Sequence, residues 1–213
     1  MNFDEFSKRI SKIENLPLPG EDSHYKMAPE NRVIELQKLK VDRKMARKAA
    51  VLSLFYPDKL QNTNLLLTLR TTYKGVHSNQ VSFPGGKAKE EDATLLATAL
   101  RETHEEVGVL PAHVHVVKKL TEIYIPPSNF EVQPFIGLYE NPQPFLKEVN
   151  EVEEIVEVSL TDFMDDSVMI DEILTTSYAK NIAVPAFKLN GYTVWGATAM
   201  VLHEVKDLLK QVL

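Results

Sequence analysis

Cysteine is absent from the 213 residues, so no disulfide framework, thiolate nucleophile or zinc-thiolate site can be built, and the usual mark of an oxidising compartment is missing. Basic charge is also in deficit. Thirty Asp and Glu stand against 24 Lys and Arg, a formal charge of −6, which lacks the footprint that a polymeric nucleic acid requires. An anionic small molecule stays open to an acidic protein when a metal ion supplies positive charge locally. No apolar run approaches the ~18 residues of a membrane span. The segment from Met1 to Arg9, with Asp4, Glu5, Lys8 and Arg9, has no apolar core of signal-peptide length. These absences lead to the expectation of a cytoplasmic protein with no membrane partner. A nucleophile elbow of the Gly-x-Ser-x-Gly type is missing too.

What is present reads as globular, since a hydrophobic share of 44% and a charged share of 25% match ordinary folded domains. The length suits one α/β domain with decorations. Phe3, Phe6, Ile10 and Ile13 recur at helical spacing until Leu16-Pro17-Leu18-Pro19-Gly20 stops the helix. The polar stretch from Gly20 to Lys44 reads as an irregular arm with a short helix near Glu30 to Gln37. Residues 1–45 are thus expected to form a helix and arm, and residues 46–213 the main domain.

Strands are predicted over Ala49–Phe55 and Asn64–Arg70. Val81-Ser82-Phe83 then leads into a tight Pro84-Gly85-Gly86 turn and a helix over Asp92–Val107, which Gly108 stops. Further strands are expected over Val114–Tyr124, Val132–Tyr139, Ile155–Ser159 and around Ala183–Lys188, with a short helix at Leu160–Met164. Met200, Val201, Val205, Leu208, Leu209 and Val212 predict an amphipathic closing helix from Trp195 to Leu213. The layout is an α/β (α+β) fold, a mixed β-sheet sandwiched between helices.

Within the 92–107 helix, Glu102, Glu105 and Glu106 stand at i, i+3 and i+4 and share one face. Leu96, Leu100, Thr103 and Val107 lie on another, so the acids are expected to point outward together. Like charges at this spacing repel by a few tenths of a kcal/mol each, and a hard divalent cation with oxygen ligands is the natural compensation. Arg101 can pair with Glu105 four residues on.

The run Arg101-Glu102-Thr103-His104-Glu105-Glu106-Val107-Gly108-Val109, together with Gly86 upstream, resembles the Nudix box. That box reads Gly, five residues, Glu, seven residues, then Arg-Glu-hydrophobic-x-Glu-Glu-x-Gly-hydrophobic. Thr103 stands at the hydrophobic position, Asp92 replaces the first Glu, and the interval to Arg101 is one residue longer. The altered spacing and the Asp resemble the coenzyme A pyrophosphatase branch. So do Leu66-Leu67-Thr68-Leu69-Arg70 and Phe83-Pro84-Gly85-Gly86, although Thr71, Gly75 and Asn79 depart from that branch's signature. Pro126-Pro127-Ser128-Asn129-Phe130, Val132 with Pro134-Phe135, and Trp195-Gly196-Ala197-Thr198-Ala199 extend the likeness to about residues 46–210.

The resemblance implies a Nudix fold and metal-dependent hydrolysis of a diphosphate linkage with Mg2+ or Mn2+. The substrate would be a small-molecule nucleotide, coenzyme A or a thioester giving 3′,5′-ADP and 4′-phosphopantetheine. Alternatives are ADP-ribose, a dinucleoside polyphosphate, or a Nudix-fold binding module without turnover. Glu102 and Glu106 would be the main metal ligands, and Glu105 a further ligand or the residue that positions water. Arg101 would help orient Glu105, and the Gly85-Gly86 turn would offer a carbonyl ligand and contact the substrate. From the later acidic run Glu148, Glu151, Glu153 and Glu154, Glu151 is the favoured extra ligand. Arg70 and Lys74 are the candidates for a substrate phosphate. His77 and His104 read as peripheral polar residues and Trp195 as a core aromatic. A homodimer is left open.

Overall fold

The protein is described from a computed structural model that covers residues 1–30, 32–34, 45–71, 80–175 and 181–213. Strand β1 (Arg47–Pro57) is the spine of an eight-stranded mixed sheet. Its two edges are used differently. Along one, β7 (Phe130–Leu138) runs parallel from Arg47↔Phe130 to Phe55↔Leu138. The other edge is shared: β2 (Thr63–Arg70) pairs antiparallel with residues from Leu54 to Pro57, and β4 (Gly85–Lys87) with Ala49 to Val51. β2 then carries β3 (Val81–Ser82) and β8 (Val152–Ser159), while β7 carries β5 (His115–Lys119) and β6 (Ile123–Ile125). A second, antiparallel sheet holds β9 (Met169–Leu174), β10 (Ile182–Leu189) and β11 (Tyr192–Trp195).

β1 and β2 read as continuous apolar runs because both faces of the main sheet are covered. Alternate residues part into two clusters. Leu52, Leu54, Tyr56 and Leu66 pack with Ala99 and Val107 of helix α3 (Leu95–Val107). Phe55, Leu65 and Leu67 pack with α1 (Phe3–Ile10) and α5 (Gly196–Leu209) on the opposite side. The expected sheet between helices is the architecture found. Short helices α2 (Glu21–Tyr25) and α4 (Leu160–Met164) complete it, the latter with the bounds predicted. Residue 30 and residues 32–34 are helical; the rest of the helix expected up to Gln37 lies outside the described residues.

Four expectations are revised. The segment Val114–Tyr124 is two strands, because the register of β5 against β7 shifts between Val116 and Lys118 and Thr121 turns away to bind Glu204. Gly85 and Gly86 are strand residues rather than a turn, paired with Val51 and Ala50. α3 begins at Leu95, not Asp92, with Thr94 accepting from the Ala97 N–H as its N-cap. Finally, α5 is buried on nearly every side rather than amphipathic. Its charged residues lie inside because each has a partner: Glu204 takes His24 Nε2 at 2.9 Å and the Thr121 hydroxyl at 2.5 Å, and Lys206 donates to the Asp165 carbonyl at 2.7 Å. The N-terminal segment is no loose appendage, since Phe3, Phe6, Ile10 and Ile13 are buried in the larger cluster. Among the described residues, no helix is long and apolar enough to cross a membrane.

Candidate active site

α3 lies against β4, and the acidic residues sit in that seam. The outward cluster expected from helical spacing is only partly found: Glu105 is exposed, whereas Glu102 and Glu106 are 9% and 1% accessible. Helical periodicity fixes which residues share a face but not how the helix is rotated against its sheet. Here Leu95, Leu96 and Leu100 are only half-buried against the sheet, while Glu102 and Glu106 are buried.

Glu106 lies deepest. Its Oε2 accepts the Gly85 N–H at 2.9 Å and its Oε1 lies 3.3 Å from Arg70 Nη1. Burial pushes its carboxyl up to about 7, with the Gly85 N–H and Arg70 pulling down and the charges of Glu102 and Glu151 pushing further up. Glu151 itself is exposed, carried by a loop that docks on the end of α3 through Leu146 N–H to Val107 O and Glu148 N–H to Glu106 O. The Glu151 carbonyl accepts the Thr71 N–H at 3.0 Å, which sets this loop beside the end of β2 that carries Arg70.

Arg101 organises the other two acids. Its Nη1 donates to Glu102 Oε1 at 2.6 Å and to Glu105 Oε2 at 3.0 Å, while Nε and Nη2 grip both oxygens of Asp92 at 2.8 Å. The bidentate guanidinium holds the Asp92 carboxyl well below the usual carboxylate range. Asp92 also accepts the Lys89 N–H and the Thr98 hydroxyl, both at 2.9 Å. It acts as a clamp on Arg101 ahead of the helix rather than as a member of it. Glu102 reaches back over β4, where a Cβ built on Gly86 would stand 2.3 Å from its Oε2. Lys89, which sequence reasoning passed over, lies 3.3 Å from Glu105; sixteen residues separate the pair, so no local pattern signals it.

The structure thus brings together Arg70, Gly85, Gly86, Arg101, Glu102, Glu105, Glu106 and, through its charge, Glu151. Lys74 and His77 lie outside the described residues. His104 is exposed, away from the acids' contacts. Trp195, expected in the core, is only half-buried and lines a cavity. As a donor set the carboxylates are hard oxygen ligands of the kind that suits Mg2+ or Mn2+, and a desolvated carboxylate with two acidic neighbours gains from an added cation. Among the described residues no three acidic or histidine side chains already converge on one point, because Glu102 and Glu105 are turned to Arg101.

Comparison with known proteins bears on the family and the fold. The uncharacterized Nudix hydrolases NudL of Yersinia pestis and Yersinia pseudotuberculosis are 42% identical over 96 residues, 45% of this chain and 48% of theirs; the chain thus spans about half the length of the curated relatives it matches. The Nudix hydrolase RenU of M. smegmatis superposes with a TM-score of 0.54 at 16% identity, over 79% of this chain and 88% of that one. A MutT/nudix family protein of Enterococcus faecalis gives 0.50 at 13% identity, over 92% and 76%. These two likenesses speak for the fold alone. The NUDIX domain matches residues 46–173, a segment that holds the sheet, α3 and every acid of the site, and the chain belongs to the NUDIX domain family.

Proposed function

We propose that the protein hydrolyses a diphosphate linkage in a small nucleotide derivative, with coenzyme A or its thioesters as the leading substrates and 3′,5′-ADP and 4′-phosphopantetheine as products. The observation that carries the reading is the Glu106 carboxylate, buried among Gly85, Arg70, Glu102 and Glu151. Glu102, Glu106 and Glu151 would hold Mg2+ or Mn2+, with Glu105 turning in from Arg101 as a further ligand or to position the attacking water. When bound, the cation supplies positive charge against the diphosphate oxygens and lowers the pKa of water. The protein's own groups do the rest. Arg101 keeps Glu102 and Glu105 aligned, the Gly85 N–H fixes Glu106, and Arg70, 3.3 Å from Glu106, would turn to a phosphate oxygen. Water serves as the nucleophile, so no covalent intermediate is needed. The branch likeness in Leu66–Arg70 and Phe83–Gly86 supports coenzyme A over ADP-ribose or a dinucleoside polyphosphate.

The test is a screen of the purified protein with Mg2+ against coenzyme A, ADP-ribose, diadenosine tetraphosphate and NADH, repeated with a chelator. Coenzyme A should rank first, and activity should vanish with the chelator and return with added divalent ion. Glu106→Gln keeps the side-chain volume and an acceptor for the Gly85 N–H, so it should lower kcat/KM by about 100-fold or more while leaving the melting temperature near that of the parent. Near-parental turnover would remove Glu106 from the reaction, and chelator-resistant hydrolysis would remove the metal.

A further inference from the structure

Beside the carboxylates a cavity of about 460 Å3 runs away from Gly86 and Arg70, the residues that touch Glu102 and Glu106. Its volume lies in the range of pockets that take a small organic ligand, roughly 300–1,000 Å3. The floor is the sheet, with Ala49, Val51 and Val132, and Tyr124 and Phe130 stand at its side. The rest of the wall comes partly from the same segment, through Val81, Phe83, Ile123 and Ile125, and partly from outside the family-matched residues 46–173. Met27, Pro29 and Arg32 enter from the N-terminal side, Trp195 from the end of β11, and Ala197 and Met200 from the start of α5.

The lining is mostly apolar. Among the described residues, its charged side chains are two arginines, Arg32 and Arg70, with no acid between them. Such a chamber repels neither a phosphate at its mouth nor an uncharged body within, whereas it would desolvate a second charged group at a cost.

On the reading that the protein cleaves a diphosphate, we propose that this cavity holds the uncharged, largely apolar group joined to the diphosphate of the substrate. The two flanks of the NUDIX segment then join the segment's own strands in setting which diphosphate is taken. The acids beside Gly86 meet only the linkage that all such substrates share, so discrimination needs a second contact, and this cavity is continuous with the first. The required chemistry is found both in a nucleobase with its ribose and in a flexible amide-alkyl arm.

Trp195 is the single tryptophan of the chain and lies in the cavity wall, so its emission reports occupancy without turnover. Adenosine and pantetheine, which carry the nucleoside and the amide-alkyl arm of coenzyme A without its phosphates, are titrated separately to millimolar concentrations. One of them should shift Trp195 emission saturably, and which one does so identifies the source of the group. Ala197→Phe projects a ring into the cavity from a residue remote from the acids' contacts, and it should weaken that response at least tenfold. Ala197→Leu, a smaller intrusion, should weaken it less, and guards against a misfolded first variant. No response to either fragment, or equal affinity in folded Ala197→Phe, overturns the assignment. An inactive protein whose Trp195 still responds would instead sink the hydrolase reading and leave the cavity in place.

Discussion

Two adjacent glycines in β4 carry different burdens, and substitution separates them. Gly85 has φ +148°, and a Cβ there would meet the Ala50 carbonyl oxygen at 2.4 Å and Val51 Cα at 2.6 Å. Both obstacles are backbone, so Gly85→Ala must break the β1–β4 pairing, and with it the N–H that holds Glu106. A loss of about 1–3 kcal/mol in stability is expected, the scale of strain at such a backbone position. Gly86→Ala meets instead the far end of the Glu102 side chain, which can swing away at the expense of its contact with Arg101. That variant should melt within a few degrees of the parent yet lose most of its hydrolysis. Thermal melts and kcat/KM on the same two proteins check the contrast, and a Gly86→Ala protein with full activity would show that the position of Glu102 is immaterial. At this scale the sequence declared residue types well. Glu102, Glu105, Glu106 and Arg101 were legible from spacing, and Arg70 from its motif. Their directions were not, because the Gly85 N–H and the Asp92 clamp come from elements whose placement only the sheet decides.

Elements were most legible where a local signal ends them. Gly108, at φ 78°, closes α3 as expected, and Ser159 caps α4 by accepting the Asp162 N–H. They were least legible where tertiary contact overrides pattern, as at β4, whose glycines suggest a turn but which is completed as a strand by β1. The contact of α2 with α5 is of the same kind. Ser23 Oγ lies 2.8 Å from both His203 Nδ1 and Asp207 Oδ2, and His24 is bound to Glu204. Serine and aspartate crowd the same ring nitrogen, which makes a structural lock rather than a nucleophile relay. Burial lowers the pKa of His203, opposed by Asp207 and assisted by Lys26, Lys210 and Lys206. A histidine held below its ordinary value of about 6.5 is protonated first in the unfolded chain. Stability from this group is therefore full above that pH and is lost as pH falls through 6.5 toward the folded value. His203→Gln removes the titration, so its melting temperature should fall less than the parent's between about pH 7.5 and 5. Parallel curves for the two proteins across that window would remove His203 as a source of acid sensitivity.

For the molecule as a whole, the division into residues 1–45 and 46–213 was read from a change in composition, which marks where polar, proline-punctuated chain gives way to strand. Composition says nothing about where that chain lies. The helix at Phe3–Ile10 was legible from its own period; its destination, against Phe55 and α5, was not. Phe6 and Phe55 pack in a tilted arrangement with ring centroids 5.0 Å apart, and Phe3 N–H and Thr63 N–H tie the N-terminus to β2 and its preceding turn. Phe3, Phe6, Ile10 and Ile13 are together almost wholly inaccessible. Burying one such side chain contributes about 1.5–3 kcal/mol, so four are comparable with the net stability of an entire domain, about 5–15 kcal/mol. A protein cut to residues 46–213 should therefore lose the cooperative urea transition of the full chain, or show its midpoint moved far toward zero denaturant. Phe6→Ala within the full chain should cost about 3–5 kcal/mol and keep the acids in place, so activity at low temperature should survive while the urea midpoint falls. A truncated protein with an unchanged midpoint would show that the sheet closes its second face without α1, and the N-terminal segment would then be left with its place in the cavity wall as its sole contribution.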